Sequence, residues 1–156
     1  MAIEIERKFL LASEGWREQV RQSLPMIQAY LGGDGCSVRV RVSGDQAWLN
    51  IKSAVAGTTR QEFEYPIPLG DAQQLIALAG GPSIDKTRHL IDVDGWIWEI
   101  DEFHGRNHGL VVAEIELPDA QAAFARPEWL GDEVTDDRRY YNNALASAPF
   151  DSWEAA

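Results

Sequence analysis

The sequence predicts an α+β protein built on an eight-stranded antiparallel β-barrel, a tunnel with helices packed outside. Three observations support this prediction. Eight segments have the composition of strands, and few of them are separated by a helix long enough for a parallel crossover. Charged residues recur at every second position in most of these segments. The 156 residues suit a single domain, taken to span 1–156.

The strands are predicted from alternating apolar and polar residues and from the turn residues between them. They lie over 3–11, 26–31, 36–43, 46–53, 58–67, 83–93, 96–103 and 109–117. Two connections are predicted to be hairpins, around Gly44 and Gly95, because short glycine-containing turns join adjacent antiparallel strands.

Three helices are predicted, over about 14–23, 71–79 and about 138–147. Ser13 would cap the first helix and Pro25 would stop it. Asp136 or Asp137 would cap the last helix. The tail over 148–156 is expected to be loosely held.

Pairs of like charge lie two residues apart in six of the predicted strands. They are Glu4/Glu6, Arg39/Arg41, Glu62/Glu64, Lys86/Arg88, Glu99/Asp101 and Glu114/Glu116, with Lys8 two residues after the first pair. Alternate side chains of a strand share a face, so each pair lies on one side of the sheet. For any single strand, the ordinary interpretation is a half-buried sheet whose polar side faces water.

Taken together, the strands favour a curled sheet whose charged side faces inward. The apolar sides need a cover, and the predicted helices could cover only part of a flat sheet. A barrel of about eight strands encloses a narrow interior. The charges assigned to it are nearly balanced once Lys8, Lys52 and Arg60 are included, so they can pair with one another and with a ligand. Carboxylates suit Mg²⁺ or Mn²⁺, and Arg and Lys suit phosphate oxygens.

Composition excludes several classes of function. The net charge of −11 argues against nonspecific binding to nucleic acid or to anionic membranes. No apolar run is long enough to span a membrane, and the N-terminus has no signal-peptide pattern. Cys36 is the single cysteine, which excludes an internal disulfide. A cytoplasmic location is therefore expected.

The ordered set of motifs resembles the triphosphate tunnel metalloenzymes, also called the CYTH superfamily. Glu4-Ile5-Glu6-Arg7-Lys8 is similar to the Glu-x-Glu-x-Lys signature of that family. The similar motifs that follow are Gln28-x-Tyr30-Leu31, Arg39-x-Arg41, Lys52, Arg60-x-Glu62-x-Glu64, Lys86-x-Arg88, Glu99-x-Asp101, Glu114-x-Glu116 and Val134-Thr135 with Tyr140 and Asn142. The resemblance covers nearly the whole chain. The N-terminal motif looks most like the small bacterial members that cleave inorganic triphosphate.

The resemblance implies a role for each motif residue in a tunnel that binds a triphosphate with divalent metal. The metal ligands would be Glu4, Glu6, Asp101, Glu114 and Glu116. The substrate-binding residues would be Lys8, Arg39, Arg41, Lys52, Lys86 and Arg88. The catalytic set would be Glu4, Glu6, Lys8, Glu62 and Glu64. Apart from the resemblance, Arg138 and Arg139 are interpreted as ordinary helix-surface residues, with the alternative that one of them reaches the interior if the last helix closes it.

The implied function is metal-dependent hydrolysis of inorganic triphosphate to diphosphate and phosphate, with Mg²⁺ or Mn²⁺ as cofactor. One alternative is a thiamine triphosphatase or another organic or nucleoside triphosphatase, for which Trp48 is a candidate stacking residue. A second alternative is an adenylate cyclase of the same superfamily, and a non-catalytic polyphosphate-binding module ranks lowest. The expected partner is a small-molecule triphosphate, with no nucleic acid and no membrane, and the protein is expected to be a monomer or a homodimer.

Overall fold

Nine antiparallel strands form one curled sheet in the computed structural model, which describes residues 2–31, 36–53, 59–80 and 83–153. Side chains are described from residue 5 in the first strand and from residue 61 in the fifth. The strands are β1 Ala2–Leu11, β2 Gln22–Tyr30, β3 Cys36–Ser43, β4 Gln46–Ser53, β5 Thr59–Pro66, β6 Ile84–Val93, β7 Trp96–Phe103, β8 Val111–Glu116 and β9 Leu130–Glu133. The helices are α1 Leu69–Ala79 and α2 Asn142–Ser147. Short 3₁₀ turns cover Gly15–Gln19, Gly105–Asn107, Arg138–Tyr140 and Phe150–Ser152.

The strand order is β5-β4-β3-β2-β6-β7-β8-β1-β9. β5 also pairs with the first half of β1, from Ala2 against Glu62 to Ile5 against Thr59. The second half of β1 pairs with β9 on that side, with Phe9 against Glu133. Eight strands are thus joined in a ring, but the joint is only the short β1–β5 pairing and the sheet is not a complete cylinder. The predicted antiparallel tunnel fold is confirmed, with one strand more than expected.

The additional strand, β9, is too short to show an alternating pattern, and its partner β1 is far away in the sequence. The backbone at Gly131 comes very close to β1. A Cβ atom at Gly131 would lie 2.8 Å from the backbone oxygen of Leu10 and 3.1 Å from the backbone nitrogen of Ala12. Glycine at this position therefore allows the two strands to approach.

Replacing Gly131 by alanine is expected to lower the free energy of unfolding by about 1–3 kcal/mol, because the obstructing atoms belong to the backbone and must move together. Denaturant unfolding of the variant measures this change. The matched control is Gly70→Ala in α1, where a Cβ atom would meet nothing within 4 Å. We expect that control to be neutral or slightly stabilising, since alanine is the better helix former. An equal loss in both variants would contradict the close-approach argument.

The predicted first helix, 14–23, is wrong in length. Its position holds only the 3₁₀ turn Gly15–Gln19, and the backbone is extended from Val20 onward. The Ser13 hydroxyl accepts a hydrogen bond from the backbone N–H of Gly15 at 3.3 Å, which stabilises a turn and not a helix. Pro25 lies inside β2. β2 pairs with β3 only from Ile27 onward, so Pro25 occupies a stretch with one neighbouring strand, where its missing N–H is tolerated.

The predicted last helix, 138–147, is divided into a 3₁₀ turn and α2. Asp137 caps the turn, as one of the two predicted caps, and accepts a hydrogen bond from the backbone N–H of Arg139. Tyr141 is extended between the two pieces, and its hydroxyl donates to the backbone oxygen of Thr135 at 2.8 Å. This hydrogen bond to a residue six positions earlier accompanies the extended backbone at Tyr141 that separates the two pieces.

Most of the hydrophobic core lies on the outer face of the sheet. One cluster centres on Phe9, Trp98 and Ile115 and is covered by Trp16 and Trp129. A second is formed where α1 packs on β3 and β4, with Ala72 against Val40 and Ala47. The prediction of a helix over 71–79, packed outside, is confirmed in α1.

The described part of the predicted loose tail extends to Trp153. The rings of Phe150 and Trp153 pack edge to face with centroids 5.1 Å apart. Both rings also pack against the cluster that contains Ile84 and Leu145. Residues 154–156 lie outside the described part of the chain.

Candidate active site

A cavity of about 380 Å³ lies on the inner side of the curled sheet. All the site residues predicted from the sequence line it except Glu4 and Asp101. They are Glu6, Lys8, Arg39, Arg41, Lys52, Glu62, Glu64, Lys86, Arg88, Glu114 and Glu116. The every-second-residue spacing brings them together because it places one face of six strands toward the same interior. The side chain of Glu4 lies outside the described part of β1.

Several lining residues were not in the predicted site. They are Tyr30, Ser37, Asn50, Ser53, Glu99, Arg138, Tyr141, Asn142 and Asn143. Strand periodicity could have identified Asn50, because it lies two residues before Lys52 and so on the same face of β4. Glu99 was among the charges predicted to face the interior. The residues after 137 could not be found this way, since no strand pattern places them. Arg138 lines the cavity, whereas Arg139 pairs with Asp137 at 2.7 Å.

One end of the cavity is closed by α2. On the inner face of β6, β7 and β8, the residue next to the charged ones is apolar. These apolar residues are Ile84, Phe103 and Val112. Leu145 of α2 is buried in the same hydrophobic cluster as these three residues. The helix therefore contacts the inner face of the sheet, unlike α1, and places its first residues next to the charged part of the cavity.

Asp101 lies behind the cavity wall and is 0% exposed. Its Oδ1 accepts from Nε of Arg88 at 2.8 Å, and its Oδ2 accepts from Nη2 of Arg88 at 2.9 Å and from Nζ of Lys86 at 2.8 Å. Burial opposes its ionisation, but Arg88 and Lys86 outweigh burial and hold the pKa of Asp101 well below its usual value. Both oxygens are thus directed at cations, and Asp101 is not among the residues that line the cavity.

The cations crowd one another. Burial, followed by the charges of Arg39 and Arg88, lowers the pKa of Arg41 to about 9. Burial also lowers the pKa of Lys86 well below its usual value, although Asp101 opposes this. The buried Nε of Arg39 has no hydrogen-bond partner within the described residues. A polyanion in the cavity would relieve this repulsion and supply the missing acceptors.

Carboxylates face each other on the other side of the cavity. Glu6 of β1 is the direct cross-strand partner of Glu116, and Glu99 of β7 is the partner of Glu114. Like charges in directly opposite positions are destabilising unless a cation compensates them. Glu114 is compensated by Lys8, whose Nζ lies 3.2 Å from its carboxylate. Burial would raise the pKa of Glu114, but Lys8 and Arg88 hold it at about 2.

The oxygens of these carboxylates have the chemistry that a hard divalent cation requires. Glu6 and Glu116 lie opposite each other at the wall of the cavity, so they fit a cation better than the enclosed Asp101 does. Among the residues whose side chains are described, no three His, Cys, Asp or Glu groups already form a metal site. Glu4 lies two residues before Glu6 in β1, and its side chain is not among those described.

The remaining acids, Glu62 and Glu64, contact polar neighbours on β4. The Nζ of Lys52 lies 3.4 Å from the carboxylate of Glu62. The Nδ2 of Asn50 donates to Oε2 of Glu64 at 2.6 Å. Trp48, a candidate for stacking on an organic group, is not among the residues that line this cavity.

A family model described as the CYTH domain matches residues 2–143. The chain belongs to the CYTH domain family. The family predicted from the ordered motifs is therefore confirmed, and the match includes every motif residue from Glu4 to Asn142.

Two relatives of this CYTH protein are named inorganic triphosphatase. The protein from Acetivibrio thermocellus is 42% identical over 156 residues, which cover 99% of each chain. The protein from Nitrosomonas europaea is 37% identical over 148 residues, which cover 92% of this chain and 96% of the relative.

Solved structures of CYTH-like folds match as well. The crystal structure of an inorganic triphosphatase superposes with a TM-score of 0.66 at 35% identity, covering 94% of this chain and 95% of the other. A protein from Pyrococcus horikoshii superposes with a TM-score of 0.61 at 16% identity, covering 76% and 80%, and shows only the shared fold. Within the described residues, this CYTH protein has no helix of the length and apolarity needed to cross a membrane.

Proposed function

We propose that this CYTH protein hydrolyses inorganic triphosphate to diphosphate and phosphate. The observation that supports this most strongly is the convergence of the six predicted substrate-binding cations on one cavity. They are Lys8, Arg39, Arg41, Lys52, Lys86 and Arg88. Four of them pair with carboxylates. Arg39 and Arg41 form no ion pair within the described residues, so their charges would be compensated by a bound anion. A linear triphosphate carries several negative charges along a short chain, which matches cations contributed by several strands. The two relatives named inorganic triphosphatase support the same substrate.

The six cations are proposed to bind phosphate oxygens, with arginines acting through their planar fork and lysines as point charges. In the reaction, water attacks a terminal phosphorus atom, the bridging P–O bond breaks and diphosphate leaves. Negative charge develops on the phosphoryl oxygens and on the leaving group. The cations are positioned in advance to stabilise that charge, which is the main contribution a protein makes to phosphoryl transfer.

Glu6 and Glu116 are proposed to hold a divalent metal together with Glu4, and Glu114 borders the same side of the cavity. When bound, Mg²⁺ or Mn²⁺ supplies charge neutralisation of phosphate oxygens and acidification of water. Glu62 and Glu64 are proposed to orient Lys52 and Asn50 at the cavity wall. Asp101 is proposed to position Lys86 and Arg88, and not to ligate the metal, because its oxygens are already occupied by these two residues. A cytoplasmic location and a monomer or homodimer stay predictions.

The lining of the cavity favours an inorganic substrate over an organic triphosphate. Its aromatic members are Tyr30 and Tyr141 among the described residues. The ring of Tyr141 lies 5.3 Å from Nζ of Lys8 and is engaged there. A thiazole or adenine ring would need a free aromatic face or a base-reading set, and the cavity wall consists mostly of charged groups.

We expect phosphate release to be fastest from tripolyphosphate when it is compared with thiamine triphosphate and ATP under identical conditions. Parallel assays with Mg²⁺, with Mn²⁺ and with a chelator test the metal, and cyclic AMP is monitored in the ATP assays. Activity should depend on the metal and produce no cyclic AMP. Preferred turnover of thiamine triphosphate or ATP would replace the proposed substrate, and cyclic AMP would replace the reaction class.

A further inference from the structure

Two neutral amide side chains connect two of the cations in the cavity. Oδ1 of Asn142 accepts a hydrogen bond from Nζ of Lys86 at 2.8 Å and another from Nε2 of Gln28 at 2.8 Å. Oε1 of Gln28 accepts from Nε of Arg41 at 2.9 Å. The residues lie on β6, α2, β2 and β3, so this bridge joins three strands to the helix that closes the cavity.

The orientation of both amides is determined by their partners. Lys86 and Arg41 can only donate hydrogen bonds, so each must face an amide oxygen. This places Oδ1 of Asn142 toward Lys86 and Oε1 of Gln28 toward Arg41. Nε2 of Gln28 is then left to donate, and it reaches Asn142 and the hydroxyl of Tyr30 at 3.1 Å. The bridge therefore has one consistent arrangement of donors and acceptors.

Each cation keeps donors that the bridge does not use. The ammonium of Lys86 has three, of which Asp101 and Asn142 accept two. Arg41 gives only its Nε to Gln28, so the two terminal nitrogens of its guanidinium remain. Lys86 and Arg41 line the cavity, whereas Gln28 is 0% exposed and does not.

We propose that Gln28 and Asn142 are positioning residues that aim the remaining donors of Arg41 and Lys86 at bound triphosphate. The inference rests on the proposed function and adds two residues to it. Fixing Nε of an arginine fixes the plane of its guanidinium and hence the direction of its terminal nitrogens. Fixing two of three ammonium donors likewise fixes the direction of the third. Preorganised donors bind an anion without losing side-chain entropy on binding.

The neutrality of the bridge is important to this role. Lys86 and Arg88 already share the carboxylate of Asp101. A carboxylate at position 28 or 142 would add a second negative charge beside Lys86 or Arg41 and would compete with the phosphates. An amide oxygen accepts the same hydrogen bonds and leaves the positive charge of both cations available to a ligand.

The decisive variant is Gln28→Met. It keeps the side-chain length and removes both the oxygen that accepts from Arg41 and the nitrogen that donates to Asn142, and position 28 does not line the cavity. We expect KM for tripolyphosphate to rise about tenfold, as is typical for a lost hydrogen bond to a charged group, while kcat changes less than threefold. Gln74→Met, on the exposed side of α1, is the matched control and should leave both constants unchanged. A Gln28→Met variant that loses stability but keeps the wild-type KM would overturn the inference, because it would show a purely structural role.

A double-variant cycle tests whether the two amides act as one unit. Asn142→Leu alone should raise KM by a similar factor, and the double variant should be no more than about twofold worse than the poorer single variant. If the increases in KM of the two single variants multiply in the double variant, the two amides act independently and the inference is overturned. If Gln28→Met does not fold, Gln28→Glu serves instead, since it keeps an acceptor for Arg41. We still expect KM to rise severalfold in that variant, because the new charge competes with phosphate, and an unchanged KM would count against the inference.

The wild-type protein distinguishes this inference from the proposed function. If it neither hydrolyses nor binds tripolyphosphate, the proposed function fails and the inference fails with it. If it hydrolyses tripolyphosphate while both single variants keep the wild-type KM, only the inference fails.

Discussion

Replacing Asp101 by alanine is expected to lower the free energy of unfolding by about 3–5 kcal/mol, because it leaves buried cations without their counter-ion. Lys86 is 1% exposed, and both it and Arg88 donate to Asp101. Burial disfavours the charge of Arg88, but Asp101, followed by Glu99, raises the pKa of Arg88 well above its usual value. The expected loss is a large part of the roughly 5–15 kcal/mol that stabilises a typical domain.

Denaturant unfolding in the presence of a chelator measures this loss in the metal-free protein. Asp92→Asn on the same hairpin is the matched control, since Asp92 forms an exposed pair with Arg21 at 2.8 Å. That variant should lose no more than about 1 kcal/mol. If Asp101 were a metal ligand, as the family resemblance implied, Asp101→Ala would change the metal requirement and leave the metal-free stability intact. That result would contradict the positioning role proposed here.

Replacing Glu116 by glutamine is expected to lower metal-dependent triphosphatase activity by about 10²–10³-fold, comparable to the loss of one preorganised electrostatic group in an active site. Glu116 is exposed, so the same change should lower the free energy of unfolding of the metal-free protein by no more than about 1 kcal/mol. Glu116 lies directly opposite Glu6 at the cavity wall, where the two carboxylates are proposed to hold the metal together. The metal concentration needed for half-maximal activity should rise.

Glu128→Gln, at an exposed position outside the cavity, is the control for Glu116→Gln and should change neither quantity. Glu4→Gln should resemble Glu116→Gln if Glu4 is a further ligand. Wild-type activity in Glu116→Gln would contradict the assignment of the metal to this side of the cavity. Reduced activity together with a large loss of metal-free stability would indicate a structural role for Glu116 instead.

Strand parity was sufficient to predict which charged residues share a face. β3, β4 and β7 occur over the predicted ranges, and the side chains two residues apart in them point to the same side. Side-chain direction in a strand depends only on local backbone geometry, so spacing alone determines it. This is why the sequence alone is sufficient to place Arg39, Arg41 and Glu114 on the charged face.

The environment of each charge could not be predicted in the same way. Asp101 has the same spacing as Glu99, and both were assigned to the interior. In the folded sheet Glu99 lines the cavity, while Asp101 is enclosed by Lys86 and Arg88. That difference depends on which residue of β6 lies opposite each acid, because Arg88 is the cross-strand partner of Asp101 and Leu90 is that of Glu99. The pairing between the strands determines these partners.

The sequence by itself determined the family, the antiparallel sheet and the charged residues of its inner face, because these follow from motif order and from the two-residue period of a strand. Only the tertiary structure decided that a ninth strand pairs with β1, that α2 closes one end of the cavity, and that Gln28 and Asn142 connect Arg41 to Lys86. Those features join residues that are distant in the chain, so their geometry exists only after the sheet has curled and the C-terminal segment has packed against its inner face.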